Sequence, residues 1–310
     1  MDAAPERDTA GRGVARRSVP VTGGDIAYVE AGTGTPVVLI HGTLMALEDV
    51  WLPLAPFLSE RHRVVAFDRP GHGFSARRRF VDASPWRQAE AIREAMDRLG
   101  IRRSVVVGHS FGGTVALCLA LSAPEAVSGV VALAPLCFPE PRLEQVLFGP
   151  RAVPGTGDEL AAILARTLDR GMLPLLRRAI FLPQAVPPGF AERFPWAYAS
   201  GPERMIAEGE DAVSIWTAMG RAAAAYPTCR VPVRILGGTA DIVVNNALHG
   251  AVASALMPGA RFAWLRGTGH MLHHFHQDRI VAEVEALIAG AGAATGWPCG
   301  GPAPPAAGAA

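Results

Sequence analysis

The 310-residue sequence contains no lysine: all 29 basic residues are arginine, set against 28 acidic ones, for a formal charge of +1. A nucleic-acid binder needs a basic surface to displace counterions, and this balance excludes that class. Charged residues make up only 18% and hydrophobic ones 50%, which excludes intrinsic disorder and supplies a core. Cysteine is scarce. Four residues without a CxxC pair do not form a disulfide scaffold, so Cys118, Cys137 and Cys299 are read as free thiols in a reducing compartment. No apolar run approaches the ~18 residues of a membrane span. The first 21 residues lack the apolar stretch of a signal peptide, and polar VTGGD follows the Arg16-Arg17 pair soon after, so a cytoplasmic location is expected. There is no internal repeat. Glycine (34) and proline (26) are plentiful, above the usual combined ~12%, and imply many loops.

Residues 1–17 and the Gly/Ala/Pro-rich stretch 291–310 are expected to be flexible tails. SVPVTGGDIAYVEAG, 18–32, reads as two strands around a Gly-Gly turn. Further strand-like runs lie within 35–42, 61–73, 102–113, 127–136, 231–241 and 260–270. Their strands are apolar throughout rather than alternating, the pattern of a parallel sheet covered by helices on both faces. Helical patterns separate them. Over 84–100, Ser84 is a candidate N-cap and Pro85 the first helical residue. Ala89, Ile92, Ala95, Met96 and Leu99 follow the 3.6 period, and Gly100 is a stop signal. Residues 112–123 are apolar all round and predict a buried helix; 245–257 and 277–290 predict two more. This alternation predicts a doubly wound, mostly parallel α/β sheet. The stretch 137–225 breaks it with ten prolines and helical pieces at 158–170 and 212–226. It reads as a helical insertion over one end of a core formed by 18–136 and 226–290.

The strongest chemical signal is Gly108-His109-Ser110-Phe111-Gly112, between a strand and an apolar helix. That context is what a nucleophile elbow requires. An abrupt strand-to-helix turn leaves the nucleophile in a strained conformation, and close neighbouring backbone admits only glycine at both flanks. The helix N-terminus behind the hydroxyl favours a developing oxyanion. A serine hydroxyl needs a base, and the base needs an orienting acid. His270 closes the last strand in GTGH and Asp241 closes the preceding one in GGTAD, so the chain order is Ser, Asp, His. Glu140, just beyond the strand at 127–136, is the second candidate acid. The loop after strand 35–40 offers the backbone N–H of Thr43 as an oxyanion donor beside that of Phe111, each contributing roughly 3–4 kcal/mol to the transition state. His41 and His109 are read as structural.

Taken together, HGT, DRPGHGFS, GHSFGG, GGTAD and GTGH resemble the α/β-hydrolase superfamily. The resemblance is to its lidded branch of epoxide hydrolases, haloperoxidase-like esterases and meta-cleavage C–C hydrolases, and it covers about residues 18–290. It implies the α/β-hydrolase fold, an inserted helical lid at 137–225, and a triad of Ser110, His270 and Asp241. It gives the segment Asp68 to Gly73 a structural role. Relatives that dehalogenate or open epoxides carry Asp at the nucleophile, so Ser110 argues against both activities.

Insertion aromatics such as Phe148, Phe181 and Phe190 either pack the lid onto the core or wall an apolar pocket. Leu44, Met45, Trp51, Phe138, Trp196 and Met271 are expected to contact substrate. His270, His273, His274 and His276 fall within seven positions and invite a metal reading. The first belongs to the triad and the others lead into a helix, so neither metal nor organic cofactor is expected. The expected function is hydrolysis of a small or medium hydrophobic ester, lactone or related carbonyl compound through an acyl-enzyme. The alternatives are a C–C bond hydrolase, a cofactor-free haloperoxidase or acyltransferase, and a non-catalytic binding protein. The expected partner is a small hydrophobic substrate, with neither nucleic acid nor membrane span; a homodimer is compatible with this reading.

Overall fold

The β-branched runs become strands because their side chains are buried on both sides: Val37–Ile40, Val64–Phe67, Val105–Val107 and Val130–Leu133 have no exposed surface. The computed structural model describes residues 14–290. In chain order the elements begin β1 (Arg17–Val21), β2 (Gly24–Ala31), β3 (Thr35–Ile40), α1 (Glu48–Leu58), β4 (His62–Phe67), α2 (Pro85–Arg98), β5 (Ser104–His109), α3 (Phe111–Ser122) and β6 (Val127–Leu133). There follow α4 (Leu143–Leu147), α5 (Thr156–Arg166), α6 (Leu168–Ala179), α7 (Pro188–Arg193), α8 (Pro202–Ala225), β7 (Val233–Gly238), α9 (Ala253–Leu256), β8 (Arg261–Leu265) and α10 (Gln277–Ile288).

One eight-stranded sheet runs β1-β2-β4-β3-β5-β6-β7-β8. β2 is antiparallel to β1 and β4, and all other pairs are parallel. Alternate residues of each strand feed opposite layers. Val38, Ile40, Val106 and Val130 pack with α2 and α3, whereas Val37, Leu39, Val107 and Val131 pack with α1 and α10. This is the doubly wound α/β architecture expected from the strand–helix alternation. Ile92 sits on the inner face of α2 without exposed surface. Ile92→Ala should lower unfolding free energy by about 2–5 kcal/mol, read as a reduced midpoint in denaturant titration.

Strand order reverses where β3 lies between β4 and β5, and Ile40 pairs with Gly108 there. The loops leaving β3 and β5 therefore emerge side by side at the carboxyl edge, where open α/β sheets hold their sites. The chain between β6 and β7 carries α4 to α8.

Three expectations need correction. Residues 14–17 do not belong to a flexible tail: Arg17 opens β1, and buried Arg16 donates to Glu48 at 2.6 Å and Asp68 at 2.7 Å. The stretches 1–13 and 291–310, with Cys299, lie outside the described residues. The helical piece 158–170 is not continuous. It breaks at Thr167, where ψ is −93°, leaving α5 and α6 as separate helices. The helix at 245–257 is a π-helical turn over Ala247–Val252 followed by α9. Among the described residues no helix is long and apolar enough to cross a membrane.

Candidate active site

β5 runs directly into α3 through Ser110, which has φ 51° and ψ −120°. For a residue with a Cβ, such left-handed backbone costs about 1–3 kcal/mol and persists only where the surroundings impose it. A Cβ on Gly108 would come within 2.3 Å of the Gly112 carbonyl oxygen, and one on Gly112 within 2.3 Å of that of Ile40. The Gly-x-Ser-x-Gly pattern is thus a steric consequence of the corner. The Ser110 N–H donates to Leu133 O at 2.8 Å and ties the corner to β6. Among the described residues its hydroxyl has no hydrogen-bond partner. Phe111 is the first residue of α3, so its N–H falls among the helix's free N-terminal donors.

Asp241 and His270 meet beside this corner, brought there by the loops after β7 and β8. His270 Nδ1 donates to Asp241 Oδ2 at 2.9 Å, and both side chains are buried. The same oxygen accepts from Asn246 Nδ2 at 2.9 Å, while Oδ1 accepts from the N–H groups of Val243 (2.8 Å) and Val244 (2.9 Å). Burial pushes this carboxyl up, but the His270 charge, its hydrogen bond and the two backbone donors outweigh that and pull it down to about 2. With Nδ1 committed to Asp241, Nε2 is the ring nitrogen left for proton exchange. Glu140 does not contact His270. It faces Arg142 at 2.7 Å and His249 at 3.0 Å.

Ser110, His270, Asp241 and Thr43 line one cavity of about 680 Å³. α4 supplies Leu143 and Leu147 to its wall, and α6 and the residue that caps it supply Leu176 and Ile180, so the insertion roofs the sheet edge with apolar side chains. Charge enters at one side through Glu140, Arg142 and Glu144.

Of the expected substrate contacts, Leu44 and Met271 line this cavity. The other four do not. Met45 is buried with Phe181 and Phe190, because the chain turns inward after Leu44. Trp51 packs on the α1–α10 face of the sheet. Phe138 meets the Tyr226 ring edge-on and lies tilted against that of His249. Trp196 lies under the Arg177 guanidinium at 4.5 Å and lines a separate groove on the insertion. An aromatic count does not reveal which way each ring turns.

His41 bridges loop backbone: its Nδ1 donates to Gly42 O at 2.9 Å and Nε2 accepts from the Arg69 N–H at 3.0 Å. Burial, then the nearby Arg69 charge, hold it well below the usual histidine range.

Several side chains around the site escaped the motif reading. Asn246 holds the Asp241 carboxylate. Asp49 on α1 is fully buried and accepts from Nε2 of His273 (3.0 Å) and His274 (3.2 Å). Burial pushes the Asp49 carboxyl up, but the facing imidazoles hold it well below the usual range, whereas burial pulls His273 down to about 3. The His109 ring donates from Nε2 to the His270 carbonyl at 3.1 Å and lies 4.8 Å from the His270 ring. The histidines after His270 thus buttress its loop. Glu208 on α8 accepts from the Leu44 N–H, and Leu44, like Ser110, has positive φ, 60°.

A family model described as alpha/beta hydrolase fold matches residues 35–277. An uncharacterized protein of Mycobacterium tuberculosis is 28% identical over 273 residues, which cover 84% of this chain and 77% of that protein. A 2-hydroxy-6-oxo-6-phenylhexa-2,4-dienoate hydrolase of Comamonas testosteroni is 32% identical over 113 residues, 36% of this chain and 40% of its own. The crystal structure of an enol-lactonase from Burkholderia xenovorans matches with a TM-score of 0.67 and 22% identity, over 88% of this chain and 99% of that one. At that identity the likeness is one of fold.

Proposed function

Because the chain belongs to the α/β-hydrolase fold family, a family of hydrolases, we propose that it is a serine hydrolase cleaving a hydrophobic ester or lactone through an acyl-enzyme. The observation that carries this reading is the His270–Asp241 hydrogen bond opening onto the same cavity as a strained Ser110.

In this reading substrate brings the Ser110 hydroxyl and His270 Nε2 into line, since such bonds are often loose until the substrate complex forms. Ser110 Oγ attacks the carbonyl carbon while His270 takes the hydroxyl proton. Asp241 holds the ring's tautomer and stabilises the imidazolium. The N–H groups of Phe111 and Thr43 receive the oxyanion. His270 then protonates the departing alkoxide, and water activated by the same ring releases the acid. The insertion acts as a lid whose leucines and isoleucine favour an apolar acyl or alcohol group.

p-Nitrophenyl esters of rising acyl length, assayed beside a fluorophosphonate label, test this. We expect turnover that depends on chain length and a single adduct on Ser110. Absence of both, with the folded protein in hand, removes the reading. A C–C hydrolase is the second reading, favoured by the likeness to the dienoate hydrolase. Consumption of a vinylogous diketone at rates above those on any aryl ester would select it.

A further inference from the structure

The loop that carries Thr43 is not held by the hydrolase core alone. Leu44, the next residue, has a left-handed backbone that its side chain disfavours. Its anchor comes from the insertion: the Leu44 N–H donates to Oε1 of Glu208 at 2.5 Å, across 164 positions of sequence. Glu208 sits on α8 and is only 2% exposed. The same oxygen lies 3.2 Å from His72 Nε2. Asp211, one turn further along α8, receives Arg69 and Arg77, each at 2.7 Å. This buried ion network locks α8 against the Asp68–Gly73 segment and leaves the Glu208 carboxylate little freedom to move. Among the described residues Oε2 has no hydrogen-bond partner. Glu208 also lines a small cavity of about 20 Å³ with Thr43 and Phe111.

We propose that Glu208 is a positioning residue for the oxyanion hole, holding Leu44 in its strained turn so that the Thr43 N–H is aimed at the reacting carbonyl. The insertion then completes the hole as well as roofing the pocket, and displacing α8 disables chemistry before it opens the cavity. This rests on the serine-hydrolase reading above. The contact uses Glu208 as an acceptor and not as a charge. A carboxylate this near an oxyanion opposes it electrostatically, so an uncharged acceptor of the same shape should serve equally well.

The test compares Glu208→Ala with Glu208→Gln in the full chain. For the best p-nitrophenyl ester, Glu208→Ala should lower kcat by about 10- to 100-fold with KM within about threefold. Glu208→Gln should stay within about threefold of the parent. Hydrogen exchange without substrate should show the Leu44 amide protected in the parent and in Glu208→Gln, and unprotected in Glu208→Ala. The proposal is overturned if Glu208→Ala keeps its kcat, if its loss lies in KM alone, or if Glu208→Gln is as impaired as Glu208→Ala. Should the alanine variant not fold, an unprotected Leu44 amide or a lost kcat in Glu208→Gln overturns it equally. Failure of the serine reading would appear elsewhere, as turnover surviving in Ser110→Ala, while Leu44 exchange still reports the anchor.

Discussion

Ser110→Ala should reduce ester turnover by on the order of 10⁴-fold or more and leave the fold intact. Alanine has the same Cβ as serine, so the left-handed corner at φ 51° is no more strained than before. The hydroxyl makes no hydrogen bond among the described residues, so its removal leaves no buried group unsatisfied. The denaturation midpoint should therefore match that of the parent within error. Residual activity above the uncatalysed rate should persist, because the two amide donors and the pocket remain. The fluorophosphonate adduct should disappear altogether. A variant that turns over at a rate near the parent's would mean that Ser110 is not the nucleophile, whatever its geometry.

Asp241→Asn should lower kcat by about 10³- to 10⁴-fold, for a reason specific to the acceptors around it. The asparagine carbonyl can still receive the Val243 and Val244 N–H groups. Its amide nitrogen then faces two donors, His270 Nδ1 and Asn246 Nδ2, at the place where a carboxylate oxygen received both at 2.9 Å. The His270 ring relieves that conflict by moving its proton to Nε2, which removes the base. A rate within about twofold of the parent would instead direct attention to Glu140. The same substitution carries a stability signature. The folded Asp241 titrates at about 2 against an ordinary 3.8, so its ionised form stabilises the fold fully above about pH 4. That contribution, up to about 2 kcal/mol, is lost as pH falls through 2. Asp241→Asn should lack this component of acid destabilisation in unfolding measured between about pH 2 and 5.

The elements that organise the site were legible because each rests on local chemistry. Val37–Ile40 and Val105–Val107 are apolar at every position because helices cover both faces of the sheet. Ser84, Pro85 and Gly100 bracket α2 as caps and stops do: Ser84 precedes Pro85 at the helix start, and Gly100 takes φ 71° after it. Two helical stretches, one in the insertion and one in the core, were harder to read. A helix broken at Thr167 and a π-helical turn at Ala247–Val252 leave no mark on residue type or period. The expected tail was mistaken at Arg16 for a related reason. An arginine beside a polar stretch looks solvated until Glu48 and Asp68 are folded against it.

By itself the sequence determined the strand–helix order, the corner at Ser110 and the carboxyl-edge placement of Asp241 and His270. Steric demand at two glycines and the pattern of buried strands act over a few residues and are written where they act. Only the tertiary structure decided which rings line the cavity, and that Asn246, Asp49 and Glu208 support the residues around it. Those contacts are made by single polar atoms, most of them joining distant parts of the chain, such as Glu208 and Leu44 across 164 positions. A hydrogen bond of that kind needs one acceptor in one orientation. It imposes neither a period nor a composition on the segments it joins, so it becomes visible only once the chain has folded.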